Sequence, residues 1–204
     1  MMKEGILIVI SGPSGAGKGT VCSQLRKILP NLKYSTSATT RTPRSGEKEG
    51  VNYYFLSMNQ FEQMISDNKL LEYARVYDNY YGTPKEKVEE ALALGEDVLL
   101  EIDIQGALQV KKRFPNGVFI FLTPPTLTEL KKRIINRGTE SQESLTRRLG
   151  SVQQELSYIN EYEYLVINDD INKCAKEIGA IILAEKCKVK RNQHNITQIV
   201  GREI

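Results

Sequence analysis

The run Gly12-Pro13-Ser14-Gly15-Ala16-Gly17-Lys18 fits the pattern G-x-x-x-x-G-K, whose chemistry is the holding of phosphate. Glycines let successive backbone N–H groups turn inward around phosphate oxygens, a following helix N-terminus adds positive potential, and the lysine ammonium reaches the β and γ phosphates. ATP is the expected ligand of Gly12 through Lys18, with Gly19 and Thr20 continuing the contact. The pattern asks for Ser or Thr directly after the lysine, whereas here Gly19 intervenes before Thr20. Thr20 is therefore the candidate hydroxyl for a Mg²⁺ ion, directly or through water, because Mg²⁺ commonly keeps several waters. Phosphate binding does not depend on that hydroxyl, since the cradle is made of backbone.

Such a loop needs a buried strand before it and a helix after it. Gly5 to Ser11 reads as that strand, and Lys18 to Leu29 as an amphipathic helix closed by Pro30. Apolar runs at Val98 to Ile102 and Val118 to Leu122 precede helical patterns at Gln105 to Arg113 and Leu127 to Arg137, the latter opened by a capping box at Thr126-x-x-Glu129. A third run, Tyr164 to Ile167, precedes a helix from Ile171 to Lys186. Strands alternating with helices predict a parallel sheet with right-handed crossovers. Between residues 37 and 96 the texture changes to short Tyr-rich strands, a helix capped by Ser57-x-x-Gln60, and a helix to Leu94 begun by a Thr83 cap and Pro84. Residues 137 to 160 are charged and helical in period, and read as a second, mobile excursion.

Length and composition limit the alternatives. At 204 residues, with 40% apolar and 26% charged residues, the chain suits one domain, for which about 100–200 residues is common. Apolar runs are far short of the roughly 20 residues that a spanning helix needs, and no leader peptide is recognisable. Three scattered cysteines and one histidine fit a reducing cytoplasm better than a disulfide or metal framework. A net charge of +3 is too mild to indicate nucleic-acid binding, and the basic tail Lys186 to Arg191 reads as a solvated end.

A phosphate loop alone leaves functions from GTPases to motor ATPases open. Ser37-Ala38-Thr39-Thr40-Arg41-Thr42-Pro43-Arg44-Ser45-Gly46-Glu47, Tyr53, Leu71-Glu72-Tyr73-Ala74, Asn79-Tyr80-Tyr81-Gly82-Thr83, Asp103-Ile104-Gln105-Gly106 and Asn136-Arg137-Gly138-Thr139-Glu140 narrow it. In order and spacing these segments resemble the guanylate kinase family, over residues 5 to 186. The resemblance implies a P-loop NTPase-type parallel sheet flanked by helices, in a single domain spanning 1–204. Its core would be 1–36, 97–136 and 161–204, with a small mixed α/β GMP-binding insertion at 37–96 and a helical lid at 137–160. The implied reaction carries the γ-phosphoryl group of ATP, with Mg²⁺, onto GMP or dGMP, giving ADP and GDP in guanine nucleotide salvage. The implied protein is a cytoplasmic monomer or weak homodimer that binds neither nucleic acid nor membrane.

Residue roles follow from the same resemblance. Arg41 and Arg44, beside Glu47 and the Tyr53 and Tyr81 hydroxyls, would clamp the GMP phosphate, for which planar guanidinium groups can supply paired charge-assisted hydrogen bonds. Glu72 would accept from the guanine N1–H and N2 amino donors, with Ser37, Gly82 and Thr83 against the base. Asp103 is placed against the amino group, although an acid at a strand end could equally organise Mg²⁺ through water. Arg137 and Arg148 would descend from the lid onto the ATP phosphates, joining Lys18 and Arg44 in catalysis. Asn168, in Asn168-Asp169-Asp170, matches the adenine-side loop, against a helix-capping turn as the plainer reading. Gly82 and Gly138 are candidate hinges. A non-catalytic protein-binding module of the same fold, or a kinase of another phosphorylated sugar or nucleotide, are the alternatives; the intact Lys18 and the Arg41, Arg44 and Glu72 set weigh against both.

Overall fold

The computed structural model describes residues 5–76, 78–136 and 142–201, excluding the side chains of 142–148. The chain opens with β1 (Leu7–Ser11), α1 (Lys18–Ile28), and two-residue strands β2 (Lys33–Tyr34) and β3 (Ala38–Thr39). It continues through β4 (Tyr54–Phe55), α2 (Met58–Ser66), β5 (Leu70–Val76), β6 (Asn79–Pro84) and α3 (Lys85–Ala93). Then follow β7 (Val98–Glu101), α4 (Ile104–Arg113), β8 (Val118–Thr123) and α5 (Leu127–Asn136). The last elements are α6 (Gln142–Ser157), β9 (Tyr164–Ile167), α7 (Ile171–Cys187) and α8 (Gln193–Val200).

Five strands form one parallel sheet in the order β2-β7-β1-β8-β9. Because helices cover both faces, β1 and β8 are buried along their whole length, which is why their sequences run apolar without alternation. Successive side chains nevertheless divide between two cores. Ile6, Ile8 and Ile10 pack with Val21 and Leu25 of α1 and Ile178 and Ile182 of α7, while Leu7 and Val9 pack with Val88 and Leu92 of α3 and Ala107 and Val110 of α4. Each such apolar side chain, fully buried, contributes on the order of 1.5–3 kcal/mol.

A second sheet, order β4-β3-β6-β5, is mixed: β3 and β4 run parallel, and β6 pairs antiparallel with β3 and β5. Its small core gathers Ala38, Phe61 and Leu70, with Phe61 stacked on Tyr80 at 5.3 Å. Leu71 of β5 leaves this sheet to join the core under α3 and α4. A separate cluster, Leu130, Ile134 and Val152, packs α5 against α6.

Several local expectations need correction. Thr83 does not cap α3: it lies within β6, Pro84 takes the cap position without a side-chain bond, and the Thr83 hydroxyl points to Glu72. At Thr126 only half of the capping box forms, since its hydroxyl accepts from the Glu129 N–H while the Glu129 carboxylate turns to Arg133. The Ser57 and Gln60 box is complete. Strands β2 and β3 were not anticipated, and α8 follows the tail's single turn at Val189–Arg191. The cysteines are free, Cys22 and Cys174 buried and Cys187 exposed.

Candidate functional site

The turn after β1 has the backbone of a phosphate cradle. Gly12 has φ 147°, and a Cβ there would stand 2.0 Å from the Leu122 carbonyl oxygen of β8; Gly17, at φ 86°, opens α1. Only glycine fits both. Lys18 folds back over the loop, its Nζ donating to the Gly12 carbonyl at 2.6 Å and the Pro13 carbonyl at 3.3 Å. Burial lowers its pKa, opposed by the negative charges of Glu101, Glu155 and Asp103. Asn168, buried at the end of β9, donates from Nδ2 to the Ala16 carbonyl at 2.8 Å and so braces the loop, while its neighbour Asp170 caps α7. The helix-capping reading of that triplet therefore holds for Asp170, while Asn168 sits against the loop.

One loop amide already meets an anion. The Ser14 N–H donates to Oε2 of Glu155 at 3.1 Å, and the same carboxylate accepts from the Ser151 hydroxyl at 2.8 Å, one turn earlier on α6. A carboxylate oxygen here stands where a nest of inward N–H groups would receive a phosphate oxygen. The helical period of the sequence carries no sign of this contact.

The second sheet delivers the arginines. Thr39 donates to the Tyr80 carbonyl and accepts from the Arg41 N–H, and Thr40 accepts from the Tyr80 N–H, so the two threonines fasten the chain to β6 just before Arg41 leaves it. Arg41 Nη2 then reaches both oxygens of Glu47 at 2.9 Å, with its guanidinium 5.5 Å from the Tyr53 ring. Burial works against the Arg41 charge, but hydrogen bonds to Glu47 and Tyr81 outweigh it and raise the pKa. The Arg44 N–H also donates to Glu47, which thereby organises both arginines of the loop.

Glu72 is placed by an irregularity. The β5–β6 register shifts between Leu70 and Glu72, which sets Glu72 opposite Thr83 and leaves Leu70, Leu71 and Glu72 all buried in succession. The Thr83 hydroxyl donates to Glu72 Oε1 at 2.7 Å. Burial raises the Glu72 pKa to about 8; nearby Asp103 adds to the rise, and hydrogen bonds from Thr83 oppose it. Asp103, itself raised by burial, begins α4 and accepts from the Gly106 N–H at 2.9 Å. Glu101, at the end of β7, accepts from the Tyr34 hydroxyl at 3.0 Å.

These groups line one cavity of about 1120 Å³ across the carboxyl ends of the parallel strands. Its wall brings together the loop from Gly12 to Thr20 except Pro13, with Asn168, Ser37, Arg41, Arg44, Glu47, Tyr53, Glu72, Tyr81, Gly82 and Asp103. Thr83 reaches the cavity only through Glu72. Thr20 is exposed on the first turn of α1. Arg137 lies outside the described residues, as does the side chain of Arg148. Arg133, Gln154 and Tyr158 also line the wall; sequence reading singled out none of them, because Arg133 looks like any other helix-surface cation until its Nη2 is seen on the Asn168 carbonyl at 3.1 Å.

A parallel sheet with a phosphate loop at its centre, sharing one cleft with a second sheet that carries arginines and a buried carboxylate, defines a P-loop α/β protein. The guanylate kinase family model matches residues 4–185. A guanylate kinase of Caldanaerobacter subterraneus subsp. tengcongensis is 57% identical over 191 residues, covering 94% of this chain and 93% of the relative. That of Clostridioides difficile is 50% identical over 203 residues, covering 100% and 99%. A crystal structure of guanylate kinase from Anaplasma phagocytophilum superposes with a TM-score of 0.79 at 34% identity, over 94% of this chain and 91% of that one. The chain belongs to the guanylate kinase family.

Proposed function

We propose that this chain transfers the γ-phosphoryl group of ATP, held on the loop from Gly12 to Thr20, to GMP held against the second sheet, yielding ADP and GDP. The observation that carries the reading is the buried Glu72 carboxylate, which shares one cavity with Lys18 and the phosphate loop. A carboxylate deep in an apolar surrounding needs donors to meet it. Guanine offers two, N1–H and the N2 amino group, for Glu72 and Asp103, with Ser37 and Thr83 beside them. Adenine would leave those acceptors unmet, and unmet buried polar groups can discriminate by about 10⁴–10⁵.

Arg41 and Arg44 would hold the GMP phosphate with the Tyr53 and Tyr81 hydroxyls, aiming one of its oxygens at the γ-phosphorus. The chemistry then asks for alignment and charge neutralisation rather than a protein nucleophile. Lys18, Arg44, Arg137 and Arg148 would supply the positive charge, the last two from a lid over residues 137–160. In this division 37–96 is the GMP-binding part and the remainder the core, with Gly82 a hinge. Scattering should show a smaller radius of gyration with both nucleotides bound.

Among the described residues, no group of three or more His, Cys, Asp or Glu could hold a metal ion. Mg²⁺ carried by the nucleotide phosphates and waters is compatible with that, with the Thr20 hydroxyl as the protein oxygen contact, directly or through water. Bound there, the ion would neutralise charge on the β and γ oxygens. Among the described residues no helix is long and apolar enough to cross a membrane. On the cysteine usage of the sequence we place the enzyme in the cytoplasm, as a monomer or weak homodimer. An ADP-release assay offered GMP, AMP, UMP, CMP and ribose phosphates tests the reading. GMP should be preferred by orders of magnitude, and a preference for AMP would overturn it.

A further inference from the structure

The placement of Glu72 has a second support besides Thr83. Strand β5 is an edge of the second sheet, so one side of its backbone has no strand partner. Helix α4 supplies that side. Gln109 Nε2 donates to the Tyr73 carbonyl at 2.7 Å, and its Oε1 accepts from the Tyr73 N–H at 3.3 Å, as a neighbouring strand would. One turn on, Arg113 Nη1 donates to the carbonyls of Leu70 and Leu71, at 3.1 and 2.5 Å, which are the residues of the register shift. A bulge disrupts its ladder locally, and here a guanidinium meets the affected carbonyls.

Gly106, one turn before Gln109, completes the same face at spacings of three and seven. A Cβ on Gly106 would stand 2.3 Å from Glu72 Oε2 and 2.9 Å from its Cδ, and its three nearest neighbours are all atoms of Glu72. The Gly106 N–H meanwhile donates to Asp103. One residue thus touches both carboxylates assigned to the base.

We propose that the α4 face made by Gly106, Gln109 and Arg113 sets the position of the Glu72 carboxylate, making these three residues positioning residues for guanine selection. The proposal rests on the reading of Glu72 as the acceptor for the base. Gly106 acts by the space it leaves, Gln109 by holding the strand at Tyr73, and Arg113 by holding the bulge. None of the five carbonyl and carboxylate groups they contact belongs to the phosphate loop, so ATP should not sense the change.

The test is steady-state kinetics of Gly106→Ala, Gln109→Ala and Arg113→Ala with GMP and with IMP, which lacks the 2-amino group. Gly106→Ala should raise KM for GMP about tenfold or more and narrow the GMP-over-IMP ratio, with KM for ATP unchanged; the higher helix propensity of alanine offsets part of the overpacking against Glu72. The other two should raise KM for GMP a few-fold in the same pattern. Shortening the carboxylate makes room for the new methyl group, so Glu72→Asp combined with Gly106→Ala should lose less than the two single losses added together. An unchanged GMP-over-IMP ratio in Gly106→Ala, an additive double variant, or an equal loss for ATP and GMP with a lowered unfolding temperature would each overturn the proposal. Glu72→Gln separates the two levels: if it leaves GMP selection intact, the base assignment itself fails, whereas if it abolishes selection while Gly106→Ala does not, only the positioning role fails.

Discussion

The Thr83 hydroxyl donates to Glu72 Oε1 at 2.7 Å, and the two side chains are buried at 0% and 3% exposure. The bond uses the only hydroxyl hydrogen of Thr83 and one oxygen of Glu72, so the other oxygen keeps its acceptor capacity for a ligand. Glu72→Gln replaces an acceptor with an amide donor at that point. It should lower kcat/KM for GMP by at least about 10²-fold, since leaving buried charged or polar partners mismatched costs about 1–3 kcal/mol each. Affinity for ribose phosphate, which carries no base, should be unchanged; an equal loss for both would show that Glu72 does not read the base.

The raised pKa of Glu72 has a pH signature. With an ordinary value of 4.5 and a folded value of about 8, the folded protein binds a proton that the unfolded chain releases between those limits. Its contribution to stability is therefore fully present below about pH 4.5 and is lost as pH rises through about 8. Thermal unfolding of the ligand-free protein should show this decline, and Glu72→Gln should flatten it. GMP needs the ionised form, so its apparent affinity should rise toward pH 8, by up to about tenfold per pH unit. A profile identical in the two proteins would contradict the linkage.

Arg41 meets both oxygens of Glu47 through Nη2 and the Thr42 carbonyl through Nη1 at 2.7 Å, so the planar fork is held in place and a phosphate would be met by its remaining donors or in exchange for these partners. A lysine cannot divide its donors in that geometry. Arg41→Lys should reduce kcat/KM for GMP by about 10–100-fold, the worth of one or two hydrogen bonds to a charged group. Glu47→Ala should follow it in direction. Initial rates at varied GMP and saturating ATP measure both.

Lys18→Met removes the ammonium that lies over the Gly12 and Pro13 carbonyls. The rate constant kcat should fall by about 10²–10³, the scale of losing one preorganised donor to transition-state charge. Calorimetry should find GMP binding unaltered.

On the proposed reading Glu155, which accepts from the Ser14 N–H, would compete with a phosphate for it. Glu155→Gln keeps the shape and removes the charge, so KM for ATP should fall a few-fold while KM for GMP stays constant. A rise in KM for ATP would mean that Glu155 assists the nucleotide.

The architecture was legible where residues act through local rules. Buried parallel strands run apolar, so Leu7–Ser11 and Val118–Thr123 announce themselves, and the loop from Gly12 to Lys18 follows from glycine spacing. The mixed α/β texture of 37–96 was legible too, but not its joints. Alternation would put Leu71 and Glu72 on opposite faces, and only the register shift against β6 buries both. Thr83 read as a helix cap because Thr-Pro is a common helix start; its tertiary partner Glu72, eleven positions away, won the hydroxyl. Glu155 and Gly106 act across 141 and 34 positions, on Ser14 and Glu72, and no local pattern encodes a contact of that range.

The most direct measurement is a crystal structure with ADP and GMP bound together. The guanine N1–H and N2 should lie within hydrogen-bonding distance of Glu72 and Asp103, the GMP phosphate should lie against Arg41 and Arg44, and ADP should sit on the loop from Gly12 to Thr20. GMP absent from the second-sheet side of the cleft, or bound there with its base turned away from Glu72, would contradict the assignment.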